Sequence, residues 1–326
     1  MCAWSVANVG EPRDVLRLID CSVPSPGAGQ VLIRVVLAAM NFPDHLMIRG
    51  LYQVKPQLPF TPGHEVLGRV VAVGSDVECP LAARVIALTA WPSGGFAEYA
   101  LADAADLFEI PEDIGDEDAA SLLITYQTSY VALHRRSRLQ PGEVLLVHAG
   151  AGGVGSAAIE LGVAVGARVI STAGSDEKLA VCLKLGAEHA INYRTDDFVE
   201  RVRELTGGRG ADVIYDPVGG DVFDQSRRCI AWEGRILIIG FAGGRIAELP
   251  TNHALLKNYS VVGVHWGAYR EHDRRVMCDA HEQLIRLYRE NRLHPVVDRV
   301  FPLVEMPDAL DQLLNRQTVG RVLVRP

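Results

Sequence analysis

The chain lacks what marks a membrane, secreted or nucleic-acid-binding protein. No run of about 18 apolar residues occurs in its 326 residues, so no transmembrane helix is expected. Its opening, Met1-Cys2-Ala3-Trp4-Ser5, has neither the basic start nor the long apolar stretch of a secretory signal. The six cysteines (Cys2, Cys21, Cys79, Cys182, Cys229 and Cys278) include no C-x-x-C pair and are too scattered for a disulfide framework. Reduced thiols in a reducing, cytoplasmic setting are therefore expected. A structural zinc site needs four clustered Cys or His ligands, and the sequence offers no such cluster. Positive charge is in deficit as well. Lys and Arg total 32 against 40 Asp and Glu, a net charge of -8. Such a surface repels phosphate backbones, so nucleic acid is not expected as the main ligand.

What is present is ordinary globular material, 48% hydrophobic and 22% charged, and long enough for two domains. Up to about residue 120 the pattern is of short strands punctuated by Gly and Pro. Val31 to Val36, Val66 to Val73, Ala83 to Leu88 and Gly95 to Ala100 are the clearest, and together they indicate a compact β-rich unit. The pattern then changes. Asp118 to Leu133 reads as a helix, and strands at Val144–His148, Arg168–Thr172, His189–Ile191, Asp212–Tyr215 and Arg235–Ile239 alternate with helical stretches. Strands joined through helices require crossovers, hence a doubly wound parallel sheet. A long amphipathic helix is predicted between Asp273 and Asn291, followed by strand-like Val296–Val300 and Val319–Val324. Strands at both chain ends suggest that the tail completes the first domain. The predicted fold class is α/β: a β-rich domain of residues 1–120 and 268–326, with a Rossmann-type domain of residues 121–267 inserted into it.

Gly150-Ala151-Gly152-Gly153-Val154-Gly155 satisfies G-x-G-x-x-G, directly after a predicted strand and at the start of a helix. That context identifies a dinucleotide-binding loop. Gly150 would permit the tight turn, Gly152 the close approach of a pyrophosphate, and Gly155 close packing of helix on strand. Gly153 and Val154 would place helix N-terminal N–H groups toward the phosphates. An Asp or Glu about 20 residues on would bind the ribose hydroxyl of NAD. Here the second strand is followed by Ala173, Gly174 and Ser175, with Lys178 and Tyr193 beyond. Small residues leave room for a 2′-phosphate, while Ser175, Lys178 and Tyr193 supply donors and charge. NADPH is therefore the expected cofactor, although Asp176 would repel a phosphate if it faced inward.

Asn41-Phe42-Pro43-Asp44, Arg49-Gly50-Leu51-Tyr52 and Leu58-Pro59-Phe60-Thr61-Pro62-Gly63-His64-Glu65 resemble the medium-chain dehydrogenase/reductase superfamily, and its quinone oxidoreductase branch most of all. The glycine loop, Asp216-Pro217-Val218-Gly219-Gly220 and the tail Thr318-Val319-Gly320-Arg321-Val322-Leu323-Val324 extend the resemblance over the whole chain. It implies a GroES-like catalytic domain, the inserted Rossmann domain and a homodimer. Zinc-using relatives carry one Cys at the position of Asn41 and another near Tyr126 to Tyr130, and neither is present. His64 alone cannot hold a catalytic zinc, which takes three protein ligands, so no metal is expected. The Leu81-Ala82-Ala83-Arg84-Val85 segment also departs from the usual Gly-Asp before Arg-Val, which bears on a turn and not on chemistry.

By the same resemblance Asn41 and Tyr52 lie in the active cleft and Thr128 beside the nicotinamide. Tyr52 would donate to the substrate oxygen, or else serve as a packing aromatic. Asn41 would position nicotinamide or substrate. Gly240-Phe241-Ala242 and Val264-His265-Trp266 would cradle the nicotinamide end. His265 could donate a proton, or be structural, and Arg316 could contact a phosphate. Without a Lewis acid to polarise a carbonyl, the small-molecule substrate must delocalise the added charge itself, as a quinone or an activated alkene does. Reduction of an enone or enoyl-CoA remains an alternative, with Arg49 and Lys55 as candidate CoA contacts. So does a non-enzymatic NADPH-binding sensor.

Overall fold

Two units divide the chain in the computed structural model, which describes every residue from Met1 to Pro326. One comprises Met1–Ile124 and Val297–Pro326, the other Thr125–Val296.

The first unit is organised on the strand Gln30–Ala39, an almost continuous apolar run. Glu65–Val73 and Tyr99–Asp103 pair with it antiparallel, and Arg84–Leu88 and Leu107–Glu109 extend the sheet. Arg321–Arg325 also pairs with it antiparallel, and carries Val297–Pro302 at the far edge. The chain's tail thus supplies two strands to the sheet its beginning starts. Ile33, Val66, Val70, Phe96, Met306 and Leu310 are among the residues filling the core. The strand expected at Gly95 begins only at Tyr99. At Gly94 a Cβ would stand 2.2 Å from Thr61 O, so this stretch is a close backbone crossing, not a paired strand.

The second unit is a six-stranded sheet, all parallel. Its order is His189–Asn192, Arg168–Ala173, Val144–Val147, Ala211–Asp216, Ile230–Ile238, Ser260–Gly263. Sequence order runs outward from the central Val144–Val147 first one way, then the other. The reversal beside that strand opens a crevice at the strands' carboxyl ends, where sheets of this kind bind their ligands. Leu146, Ile170, Ile214, Phe223 and Ile236 form part of the core.

Further boundaries differ from the sequence reading, two of them next to the site residues. The helix expected over Asp118 to Leu133 is broken into Asp116–Ala119 and Ile124–Tyr130, the latter running into a π-helical turn, Val131–Arg136. The break has a cause: the Ile124 N–H donates to the Glu65 carboxylate at 2.9 Å. The second correction concerns residues 268–296, assigned above to the first domain. The helix Arg275–Arg289 buries Val276, Met277, Ala280, His281 and Leu284 on one stripe, and the segment after it is held within the second unit. The His294 N–H donates to Glu160 at 2.7 Å, and Arg292 donates to the Ala164 carbonyl.

Candidate active-site residues

The buried strand Val144–Val147 leads through His148 and Ala149 into the glycine loop. The left-handed residue of this turn is Ala149, with φ 51°, not Gly150. Gly150 is required instead by crowding, because a Cβ there would stand 1.8 Å from Ser171 Oγ on the neighbouring strand. At Gly155 a Cβ would stand 2.2 Å from Ala149 O, so only glycine lets the helix pack this closely. Gly152 caps the helix Gly153–Val165, and a Cβ on it would meet only Ala149 O, at 3.3 Å. The exposed N–H groups and dipole of that helix end suit an anion.

His148 ties three elements together. Its ring lies 3.0 Å from Thr172 Oγ1 and 2.8 Å from Ser226 Oγ, edge-on to Phe198. Ser226 donates onward to Val222 O, so the histidine donates to Ser226 through Nε2 and accepts from Thr172 at Nδ1. Burial pushes its pKa down to about 4. Thr172 in turn receives the Gly150 N–H on its carbonyl, 3.0 Å away, and precedes the turn Ala173-Gly174-Ser175. In that turn a Cβ on Gly174 would stand 2.5 Å from the Tyr193 hydroxyl. Ser175 caps the helix Asp176–Lys184, accepting from the Lys178 N–H. Asp176 is exposed in the first turn of that helix.

The helix Ile124–Tyr130 is anchored in three directions. Tyr126 donates to Glu160 at 2.5 Å. Gln127 Oε1 accepts the Trp266 indole N–H at 3.1 Å. Ser129 donates to Val154 O in the glycine loop at 3.0 Å and accepts from the Tyr215 hydroxyl at 2.8 Å. Thr128, half-buried among them, makes none of these bonds. Burial raises the Glu160 carboxyl above its usual range, against the lowering bond from Tyr126, and raises the Tyr215 phenol. The Gly240-Phe241-Ala242 loop rests on the Asp216 motif: Ala242 donates to Pro217 O, while Asp216 accepts from the Val218 and Gly219 N–H groups. Val264 continues from the last strand with its N–H on Ile238 O. His265 is exposed and Trp266 buried.

In the first unit, the helix Phe42–Ile48 opens at Asn41, whose N–H is received by Asp44 at 2.7 Å. The Asn41 amide donates to Glu65 at 2.9 Å and accepts from Arg321 at 2.9 Å, while Arg321 also donates to Glu65 at 2.5 Å. All four side chains are buried. Burial drives the Asp44 carboxyl up to about 7, with the neighbouring Glu65 adding to the rise. Tyr52 is partly buried against the core, and burial and then Asp44 raise its pKa. Arg316 is exposed with φ 56°, its N–H closing the helix Met306–Leu314 on Leu313 O. Arg49 is engaged by Glu11 at 2.7 Å, and Lys55 is exposed.

The glycine loop, the Gly174 turn, Thr128 and residues 240–242 and 264–266 thus belong to one unit, and Asn41, Tyr52 and Arg316 to the other. Sequence reasoning did not single out Gln127, Ser129, His148 or Glu160 for the site, nor the pairing of Glu65 with Arg321. An arginine next to the apolar run Val322-Leu323-Val324 was the one available signal.

Comparison with known proteins matches two family profiles, Alcohol dehydrogenase GroES-like domain over residues 27–112 and Zinc-binding dehydrogenase over residues 153–282. Quinone oxidoreductase-like protein 2 of Rattus norvegicus is 41% identical over 304 residues, covering 92% of this chain and 86% of that protein. The chain belongs to the quinone oxidoreductase branch of the medium-chain dehydrogenase/reductase family. Among solved structures, Escherichia coli quinone oxidoreductase complexed with NADPH superposes with a TM-score of 0.93 at 29% identity, covering all of both chains. The quinone oxidoreductase of Thermus thermophilus, solved alone and with NADPH, gives 0.84 at 34% identity, again over the full length of each.

One of the family descriptions names zinc, and the donor set of this oxidoreductase does not fit it. Asn41 offers an amide, already bonded to Glu65 and Arg321. Glu65 spends its oxygens on Asn41, Arg321 and the Ile124 N–H. The His64 ring stacks on Trp91 with centroids 5.3 Å apart. No group of three or more His, Cys, Asp or Glu is placed to hold a metal ion.

Proposed function

We propose that this oxidoreductase is a zinc-independent, NADPH-dependent reductase that passes hydride to a quinone. The observation that carries the reading is Asn41, which offers no thiolate to a catalytic metal and has its buried amide bonded to Glu65 and Arg321. NADPH is supported by the glycine loop, by the small turn Ala173-Gly174-Ser175 beside Lys178 and Tyr193, and by the two relatives solved with that cofactor. When bound, NADPH supplies the hydride. The helix end at Gly152, Gly153, Val154 and Gly155 holds the pyrophosphate, and Gly174, Ser175, Lys178 and Tyr193 take the ribose phosphate. Thr128 with Gly240, Phe241, Val264, His265 and Trp266 orients the nicotinamide. Asn41 positions nicotinamide or acceptor, Tyr52 donates to the acceptor oxygen, and Arg316 meets a phosphate. A quinone takes up hydride and one proton to become a hydroquinone, spreading the added charge over its ring without a Lewis acid.

We also assign a homodimer and a cytoplasmic setting. Ser260–Gly263 is an edge strand, paired on one side only, and an unpaired edge is a template for another strand. Nearby in sequence, Ile246, Leu255 and Leu256 are exposed. A second copy placed edge to edge would cover such a surface. Light scattering that reports a monomer at micromolar concentration would remove this assignment.

The test of function is NADPH oxidation by metal-stripped protein with a para-quinone, an enone and a 2-enoyl-CoA. Fastest turnover with the quinone, unaffected by chelators, is expected. Preference for the enone or the thioester would reassign the acceptor, and activity restored only by added zinc would refute metal independence. Tyr52→Phe should lower turnover about tenfold or more, as loss of an oxyanion donor does, with the Kd for NADPH unchanged. Unaltered turnover would remove Tyr52 from the mechanism.

A further inference from the structure

Gln127 is fully buried on the helix that carries Thr128, and its amide is used at one end only. The indole of Trp266 can donate but cannot accept, so the amide must turn Oε1 toward it. That leaves Nε2, which is buried and has no hydrogen-bond partner among the protein's atoms. Burying an amide donor without an acceptor is unfavourable, while an apolar side chain of the same volume would remove that orphan only by leaving the buried Trp266 N–H without its acceptor. One orphaned donor is exchanged for another, so stability by itself does not select glutamine here. What the residue does achieve is a link. It joins the Thr128 helix to Trp266, at the end of the 264–266 segment that follows the last parallel strand. Ser129 supplies the matching link on the other side of Thr128, to Val154 O in the glycine loop. Thr128 is thus flanked by two fixed points, one on each stretch of chain assigned above to the dinucleotide.

We propose that Gln127 is a positioning residue for the nicotinamide half of the cofactor, holding Trp266 and the 264–266 segment in register with Thr128. It acts through Trp266 and need not touch the cofactor. The inference rests on the NADPH reading above, so the two must be able to fail separately.

The experiment compares the wild type with Gln127→Met, which keeps the volume and removes the acceptor, and with Trp266→Phe, which removes the donor. Dissociation constants are measured for NADPH and for 2′,5′-ADP, a probe of the adenosine half alone, together with Tm and single-turnover quinone reduction. In Gln127→Met the Kd for NADPH should rise about fivefold, the loss expected of one hydrogen bond, and that for 2′,5′-ADP should stay within twofold. Hydride transfer should slow by a larger factor than binding weakens, and Tm should change little, because the variant trades the orphaned amide for an orphaned indole N–H. Trp266→Phe should show the same split, and the double variant should cost less than the two singles multiplied. Both Kd values rising together, or a fall in Tm with the Kd ratio unchanged, would make Gln127 a structural residue and overturn the proposal. So would no change in any readout. If instead the wild type bound NADPH no better than 2′,5′-ADP and reduced no acceptor, the underlying functional reading would fail.

Discussion

Arg321 and Glu65 are the residues on which the first unit depends most narrowly. A buried ion pair adds little net stability when intact, because both charges have lost their water. Removing one partner is costly, since the other is left as an uncompensated charge. Arg321→Met should therefore destabilise the protein by about 3–5 kcal/mol, read as a lower denaturant midpoint at unchanged slope. Adding Glu65→Gln to that variant should recover a large part of the loss, because the stranded anion is gone. A single-variant cost below about 1 kcal/mol would mean that the carboxylate is neutral or reached by water. The pair was not legible in the sequence, where the two residues lie 256 positions apart. Each sat in a recognisable motif, but motif and propensity rules read neighbours along the chain. Asn41 was singled out for the opposite reason, by a resemblance that implies a thiolate at its position in zinc-using relatives, and the structure places its amide in the same buried network.

At the scale of elements, the parallel sheet and its loop could be read because their signal is local. Strand, glycine turn and helix follow one another within the run Val144 to Val165. The helix Arg275–Arg289 shows where such reading stops. Its buried stripe announces a packed face but not the unit it packs in, which is settled by the Glu160 contact of His294. The glycines, all alike on the page, prove to serve different ends, and this can be tested. A Cβ at Gly155 collides with backbone at 2.2 Å, one at Gly152 meets backbone only at 3.3 Å. Gly155→Ala should therefore force strand and helix apart and cost more than about 2 kcal/mol, in the range of overpacked cores. Gly152→Ala should leave the fold intact, with Tm changed by no more than about 2 °C, yet weaken NADPH binding at least about tenfold through obstruction of the pyrophosphate. Thermal melts set beside cofactor titrations separate the two. Equal losses of stability in both variants would show that the loop glycines are merely interchangeable.

Across the whole molecule, two buried groups pull stability in opposite directions with pH, one in each unit. His148 ordinarily titrates at 6.5 and is held at about 4 when folded. Between those values the unfolded chain takes up a proton that the folded one refuses, so its unit loses stability as pH falls. Asp44 ordinarily titrates at 3.8 and is raised to about 7. There the folded chain holds the proton and the unfolded one does not, so the first unit loses stability as pH rises through that window. From pH 7.5 to pH 5 each effect amounts to about 2 kcal/mol, of opposite sign. Taken by themselves, these two groups nearly cancel over this range, although neither unit is indifferent. Hydrogen exchange corrected for intrinsic rates can resolve them. At pH 5 the most protected amides of the Val144–Val147 and Ala211–Asp216 strands should exchange faster than at pH 7.5, while those of Gln30–Ala39 and Glu65–Val73 exchange more slowly. Asp44→Asn should abolish the second trend and leave the first, exposing acid lability in the global melt. His148→Gln should do the reverse, giving a protein that gains stability on acidification. Parallel trends in both units would mean that buried charge is not what sets the profile, and that carboxylates at the surface govern it instead.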